Sequence, residues 1–558
     1  MMMDLLKVSM TDGQINREEF PKTLILGGRG AIDYLLTKHA DPRVHPLSKH
    51  SYFMVAPGLL AGTNAPNSGR LSIGGKSPLT GTIKEANVGG TSAHKLARLG
   101  IRAIMVSGSS ERLKILKIDH TGAVLEDAGT LKGLGNYRAC EILCERYGGH
   151  VGIIIAGPAG EMKLSNSTVA VTDPEGRPSR HAARGGMGAV MAAKGLKAIV
   201  VDDANGKGRE AVDKEGFKAA VKSAAEMIAS KPICQNLAKF GTGMWVDSDH
   251  VRGSMPTYNY REGAFEKHER INGKRISELA EQRKGKMGHR CMPTCVVRCS
   301  TVYNDSEGQY VTSGLEYETL AMLGANLGID DLDAIAMMDR RCDDLGIDTI
   351  EMGAAIGVLN DVGLFEFGNK AQAISYLDEV AKGSPIGRIL GNGVSLTAKA
   401  FGIARVPAVK GQAIPAHTGR TVKGWGVTYA TSPQGADHTA GPVGVEPLSP
   451  EGQMERSRWA QIQMASLDAT GMCFFTFLYA TPGAILPMIN SLYGIHWSEN
   501  DYLDMGKEML RQEIAFNRKA GIAVEGNSMP DWLREEPLPP KGTVFDVPQD
   551  ELDRIFDF

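Results

Sequence analysis

The 558-residue chain is 42% hydrophobic and 23% charged, with a net charge of −2, the proportions of a folded globular protein. A near-neutral balance without a basic run gives no electrostatic footprint for nucleic acid or an anionic membrane surface, and no apolar run reaches the ~20 residues of a membrane span. Eight cysteines in so long a chain are no disulfide framework. The start, MMMDLLKVSMTDG, lacks a basic segment followed by an apolar one, so a reducing cytoplasm is the expected location.

Residues 1–206 read as a β-rich domain. Short runs such as Lys114-Ile-Leu-Lys-Ile, Val151-Gly-Ile-Ile-Ile and Ala198-Ile-Val-Val-Val are separated by Gly, Pro and Asn. Residues 207–410 form a second, mainly helical unit. Val212, Phe217, Ala220, Val221, Ala224, Met227 and Ile228 recur at helical spacing until Pro232. Residues 235–300 are irregular and carry a cysteine triplet, and residues 316–405 are helical again. The third unit, 411–558, opens with a Gly/Pro/His/Thr-rich stretch to about 450 that reads as loops. A helix from about Ser457 to Thr470 follows, then more helix to about Ala520. A polar tail with Pro537, Pro539 and Pro540 is expected to wrap the surface. The fold class is α+β. The 67 glycines include the runs Gly27-Gly28-Arg29-Gly30, Gly89-Gly90 and Gly185-Gly186, which suit backbone held close to a large ligand.

Two hexapeptides share one pattern: Asp343-Asp-Leu-Gly346-Ile-Asp348 and Asp468-Ala-Thr-Gly471-Met-Cys473. Each glycine falls where a helix should end, as a left-handed cap. Asp348 followed by Glu351 also fits an N-terminal capping box. A duplicated polar turn suits a ligand with two similar halves. The second copy ends in Cys473, which completes a set of four with Cys291, Cys295 and Cys299. Thiolates select soft metals, and a cluster takes four of them. The C-x3-C-x3-C spacing is one residue too long for the open-iron radical motif, C-x3-C-x2-C, and it lacks the paired C-x2-C arms of zinc sites. A [4Fe–4S] cluster is the reading that is left. Cys140, Cys144 and Cys234 read as core.

These residues resemble the tungsten-containing aldehyde:ferredoxin oxidoreductases over nearly the whole chain. The resemblance rests on several motifs in order: Pro57-Gly-Leu-Leu-Ala-Gly-Thr-Asn-Ala-Pro-Asn-Ser-Gly-Arg70, Lys76-Ser-Pro-Leu-Thr-Gly81, Glu85-Ala-Asn87-Val-Gly-Gly90, Gly157-Pro-Ala-Gly-Glu161 and Arg184-Gly-Gly-Met-Gly-Ala-Val-Met191. It implies a β-rich base under two helical domains, with a bis-pterin cofactor at their interface. Tungsten, or molybdenum in its place, is held by pterin sulfurs, and Mg2+ bridges the pterin phosphates. Asp343 and Asp348 would serve one pterin and Asp468 the other. Arg70 and Arg184 would clamp phosphates, and Asn87 with Gly89 would lie by the magnesium. The best-known members carry C-x2-C-x3-C, so this chain's extra residue between Cys291 and Cys295 marks a departure.

The implied reaction is oxidation of an aldehyde to a carboxylate, with electrons leaving through the cluster to ferredoxin or an iron–sulfur electron-transfer subunit. The family also implies a homodimer. Glu316, in Gly314-Leu-Glu316-Tyr-Glu318-Thr, and His438, in Thr431-Ser-Pro-Gln-Gly-Ala-Asp437-His438, match positions that would move protons. Two alternatives stand beside this reading. One is the active subunit of a tungsten-dependent benzoyl-CoA reductase; the other is a non-catalytic relative that keeps only the cluster.

Overall fold

The computed structural model describes residues 3–21, 23–477, 482–523 and 527–558. Inner strands of the N-terminal third, such as Phe53–Pro57, Gly152–Ala156 and Leu196–Val201, are buried on both faces. Along Phe53–Pro57, Phe53 and Val55 join one core while Met54 and Ala56 join another. Two six-stranded sheets result. Edge to edge, the first runs Ile15–Glu19, Asp4–Ser9, Ile101–Ser107, Phe53–Pro57, Leu71–Lys76, Ile83–Val88. The second runs Gly122–Asp127, Lys114–Asp119, Leu196–Val201, Gly152–Ala156, Val169–Val171, Arg180–Ala182.

The two sheets have the same topology. In each half the chain makes two strands, a helix, three strands, a short helix and a last strand, and the second half adds the short helix Pro158–Glu161 after its third strand. That last strand pairs parallel to the first, and the other pairings are antiparallel. Val55, Ile73 and Ile104 of the first sheet and Leu116, Ile154 and Ile199 of the second share one core. Each outer face is covered by the equivalent helix: Gly28–His39 through Ala31, Ile32 and Leu35, and Asn136–Tyr147 through Ala139, Cys140 and Leu143. The N-terminal third is therefore an internal duplication.

Helices of residues 214–519 pack around two further cores. One joins much of residues 246–460 to Phe545, Val547, Leu552 and Ile555 of the tail. The other joins helix Lys214–Ala229 to the helices Pro482–Tyr493 and Glu499–Lys519. Pro232 opens a new helix, Pro232–Phe240, at a position where its missing N–H costs nothing.

Three expectations change. The cysteine-bearing stretch is not wholly irregular, since Trp245–Arg252 and Gly273–Gln282 are helices. The loop-like 411–450 stretch contains the helix Lys423–Thr431, buried on every side. Its Gly424 and Gly426 lower helix propensity but admit Val443, Gly419 and Phe545 at close range. The tail does not merely wrap the surface: its four apolar anchors are inaccessible. The α+β class, a β-rich N-terminal domain followed by helical ones, stands.

Candidate active site

Helix Leu332–Leu345 ends at Gly346 (φ 74°, ψ 59°) and helix Gln453–Thr470 at Gly471 (φ 76°, ψ 16°), both left-handed. Only glycine adopts that conformation without strain. The two turns dock equivalently on the two sheets. Gly346 O accepts from Thr168 N at 2.8 Å, and Gly471 O from Arg70 N at 3.0 Å. Asp348 N donates to Asn166 O at 3.2 Å, and Cys473 N to Asn67 O at 2.8 Å. Glycines of equivalent strand ends make room: a Cβ on Gly157 would meet Leu345 O at 2.3 Å, and one on Gly58 would meet Gly471 Cα at 2.1 Å.

The leading aspartates are also matched. Asp343 faces His181 Nε2 at 3.0 Å and accepts from Tyr137 OH at 3.4 Å. Asp468 accepts from Arg29 Nη1 at 3.3 Å. Burial, with Glu85 nearby, pushes the Asp468 carboxyl well above the usual range despite Arg29. Asp348 caps helix Thr349–Val358 by accepting from Ile350 N and Glu351 N at 3.1 and 3.4 Å. The reciprocal half of a capping box does not form. The Glu351 side chain instead accepts from Val394 N and Ala413 N.

Arg70 and Asn87 interlock. Arg70 Nε donates to Asn87 Oδ1, and Nη2 donates to Asn87 O at 3.1 Å. Asn87 Nδ2 is buried without a partner among the described residues. Gly89 lies against both Arg70 Nη1 and Cys291 O, with 3.4 and 3.2 Å left for a Cβ. Arg184 is engaged differently. Its fork donates to Asp348 at 3.2 Å, to Ala413 O at 2.7 Å and to Ala436 O at 2.6 Å.

Cys291, Cys295, Cys299 and Cys473 meet in one buried cluster, joined by Leu237 and Cys234. Asn67, buried and at positive φ, ties the parts together. Its N–H donates to Thr294 O, its Oδ1 accepts from Val296 N, and its carbonyl accepts from Cys473 N. A hydrogen bond from Cys295, aided by Arg180 and Arg70, pulls the Cys291 thiol down to about 6 against the effect of burial. Burial pushes Cys473 up to about 11. Among the described residues no three of the sulfurs lie mutually within 4.8 Å. A single zinc ion needs a sulfur–sulfur edge of roughly 3.8 Å, so these sulfurs would have to draw closer to hold one.

The two proton-transfer candidates are not neighbours. Glu316 accepts from Ser300 Oγ at 2.9 Å and Thr242 Oγ1 at 2.6 Å, beside Cys299, whose thiol it helps to raise. The carboxylate facing His438 is Glu318, with Oε1 3.7 Å from Nδ1. Glu318 Oε2 accepts from Ala416 N at 2.8 Å, so its orientation is fixed. Asp437 Oδ1 lies 3.8 Å from the same His438 nitrogen. Although burial opposes its charge, Lys84 and Arg184 hold Asp437 far below the usual carboxylate range. The ring of His438 stacks on Trp425 and meets Phe474, both at 6.4 Å. Glu318 Oε1, His438 Nδ1, Trp425 Nε1 and Tyr429 OH are all buried without partners among the described residues. Buried polar atoms are normally satisfied, so an unpartnered histidine nitrogen with three more such atoms on Glu318, Trp425 and Tyr429 marks a site built for something else to bind. Phe474 follows Cys473, which sets this site beside the cysteines.

Glu318 and Asn67 were not singled out by sequence reasoning. Glu318 lies two positions after Glu316 in the Glu-Tyr-Glu run. Asn67-Ser68 recurs as Asn166-Ser167, each just before a strand, and that repeat was the available signal.

The family description "Aldehyde ferredoxin oxidoreductase, N-terminal domain" matches residues 5–203, and "Aldehyde ferredoxin oxidoreductase, domains 2 & 3" matches residues 219–557. The tungsten-containing aldehyde ferredoxin oxidoreductase of Pyrococcus abyssi (strain GE5 / Orsay) is 33% identical over 96% of this chain and 92% of its own length. That of Thermococcus kodakarensis is 31% identical over 96% and 91%. The active site complex BamBC of benzoyl coenzyme A reductase, solved with 1,5-dienoyl-CoA, shares the fold at a TM-score of 0.80 and 20% identity, covering 95% of this chain and 91% of that one. With both domain descriptions matched across duplicated sheets and paired turns, the chain belongs to the aldehyde ferredoxin oxidoreductase family of oxidoreductases.

Proposed function

We propose that the protein oxidises an aldehyde to a carboxylic acid, RCHO + H2O → RCOOH + 2 H+ + 2 e−, at a tungsten bis-pterin centre beside a [4Fe–4S] cluster. The observation that carries the reading is the His438–Glu318 pair, unsatisfied and buried next to Cys473. The residues fit the cofactors by their own chemistry. The two equivalent turns offer Asp343 with Asp348 to one pterin and Asp468 to the other. Four buried thiols offer a soft donor set, and Asn87 Nδ2 is a buried donor without a partner that a phosphate oxygen would satisfy. When bound, the metal centre takes up the two electrons and the cluster passes them on singly.

The chain's own work is to bind, orient and move protons. Arg70, whose Nη1 faces Gly89, is the arginine suited to a phosphate. Arg184, with its fork already committed to Asp348 and two carbonyls, holds the first turn in place. Glu318 and Asp437 flank His438 Nδ1 at 3.7 and 3.8 Å, carboxylates that would favour a proton on that nitrogen and leave Nε2 to accept the proton of attacking water. Trp425, Tyr429 and Phe474 exclude bulk water around it. Glu316, tied to Ser300 and Thr242, belongs to the cysteine side. Ferredoxin is the acceptor the family suggests.

The test is aldehyde-dependent dye reduction by anaerobically purified protein. His438→Asn and Glu318→Gln should each lower kcat about 10²–10⁴-fold with metal content unchanged, and Glu316→Gln by less than about tenfold. Full activity in the first two variants refutes the assignment. A parent protein with full metal that oxidises no aldehyde but reduces an aromatic ring as its CoA thioester would replace the reaction.

A further inference from the structure

The proposed reaction leaves His417 without work, although it adjoins the acid–base pair. Glu318 faces His438 through Oε1, and its Oε2 accepts at 2.8 Å from the N–H of Ala416, the residue before His417. The His417 ring is held firmly. Its Nδ1 lies 2.6 Å from Oδ2 of the buried Asp249. That carboxylate also accepts from Tyr317 OH at 2.6 Å and pairs with Arg252. The rings of Tyr317 and Trp425 pack against the imidazole with centroids at 4.8 and 4.6 Å. Tyr317, Asp249, Ala416, Thr418 and Trp425 are all buried, yet His417 keeps 13% of its side chain accessible. Its Nε2 makes no hydrogen bond among the described residues.

A carboxylate on one imidazole nitrogen fixes the ring and leaves the other nitrogen for a ligand. Although burial opposes its charge, Asp249 raises the pKa of His417 above the ordinary value, which favours a charged Nε2–H donor. Two more unused donors stand on the neighbouring helix. Trp425 and Tyr429 are one turn apart on Lys423–Thr431, with ring centroids 6.3 Å apart. Trp425 Nε1 and Tyr429 OH have no partner among the described residues. Burial pushes the Tyr429 phenol well above its usual range, so it stays a donor. Three free donors and one positive charge suit an anion with two acceptor oxygens. Lys84 and Arg184 are already engaged, by Asp437 and by Asp348 with two carbonyls. A single imidazolium beside Glu318 matches a carboxylate better than a phosphate dianion.

We propose that His417 Nε2, Trp425 Nε1 and Tyr429 OH form a subsite for a carboxylate carried by the aldehyde itself, so that the substrates of this chain are aldehydes with an acidic tail. The inference rests on the proposed aldehyde oxidation at His438. The tail is bound and not transformed. The bond changes and the two electrons remain those of RCHO + H2O → RCOOH + 2 H+ + 2 e−, with R ending in COO−, and the product is a dicarboxylate.

The experiment pairs acid aldehydes with neutral aldehydes of similar shape: succinic semialdehyde with 4-methylpentanal, and 4-carboxybenzaldehyde with 4-isopropylbenzaldehyde. Dye reduction by the holoenzyme gives kcat/KM for each, and calorimetry gives the Kd of succinate and of terephthalate, which bind without turnover. In at least one pair the parent should favour the acid by about 10–100-fold. His417→Phe keeps a ring against Tyr317 and Trp425 but has no nitrogen. It should bring that ratio to about one and weaken dicarboxylate binding by about 10-fold or more. Tyr429→Phe removes only a hydroxyl and should lower the same ratio by about 2–10-fold; if His417→Phe loses metal, this variant decides. No preference for the acid in either pair, or a ratio that stays at the parent value in the variants, would overturn the subsite. So would a His417→Phe protein with parental metal that loses both aldehydes of a pair equally, because the residue would then be structural. A parent that oxidises none of the four aldehydes, yet binds a dicarboxylate through His417, refutes the proposed reaction and leaves the subsite standing.

Discussion

The docking of the two turns on the two sheets has a sharp consequence at Gly58 and Gly157. A Cβ on Gly58 would lie 2.1 Å from Gly471 Cα and 2.5 Å from Thr470 C; one on Gly157 would lie 2.3 Å from Leu345 O. Every opposing atom is backbone at a helix end, so no side chain can swing aside. Overpacking costs about 1–3 kcal/mol where neighbours yield, and here the upper figure applies. About 3 kcal/mol lowers the ratio of seated to lifted turn by about two orders of magnitude. The two alanine variants should differ in what they lose. Gly58→Ala lifts the turn that carries Cys473 and breaks its bond to Asn67, so both pterin and iron should fall. Gly157→Ala lifts only the cysteine-free turn, so pterin should fall with iron largely retained. Gly149→Ala, with nothing within 4 Å of the added carbon, is the control. Pterin by fluorescence after extraction and iron by mass spectrometry read the outcome. Full pterin and iron in Gly58→Ala would refute the docking argument.

Two more outcomes follow from single side chains. Cys473→Ala should abolish the EPR signal of the reduced cluster, because beyond the four proposed ligands that core holds only Cys234, on the helix outside the loop; an unchanged signal removes Cys473 from the ligand set. His94 is buried, its Nδ1 accepts from Gly62 N at 2.9 Å, and burial with Arg98 lowers its pKa to about 4. The unfolded chain binds that proton between about pH 6.5 and 4 and the folded one does not. Stability should therefore drop by about 3 kcal/mol as pH falls through this window and level off below it. His94→Gln should flatten that part of the denaturant-midpoint profile, and a profile identical to the parent's would contradict the assignment.

How legible the site was depended on the range of the forces involved. Helix ends at Gly346 and Gly471 are local events, set by periodicity and one left-handed residue, and they fall where the hexapeptides put them. The duplication of the sheets left little trace in residue identity, because a strand buried on both faces accepts any apolar residue of suitable size; Asn67-Ser68 with Asn166-Ser167 and the strand-end glycines Gly58 and Gly157 persist. Glu351 illustrates the limit of spacing rules. Three residues after Asp348 it fits a capping box, yet two N–H groups from residues 394 and 413 offer it more than the local N–H does. Likewise Glu316 and Glu318 flank one tyrosine and look alike in sequence. A two-residue step around a helix start turns one toward Ser300 and the other toward His438. The helix Lys423–Thr431 was obscured by glycines whose value is close packing.

The central claim is that two matched turns and four cysteines hold a tungsten bis-pterin centre beside an iron–sulfur cluster. Metal and pterin analysis of anaerobically purified protein tests it most directly. The account predicts about one tungsten or molybdenum, about two pterins and about four irons per chain. Iron alone would reduce the chain to a cluster-bearing relative without the proposed chemistry, and zinc in place of iron would contradict the reading of the four thiols.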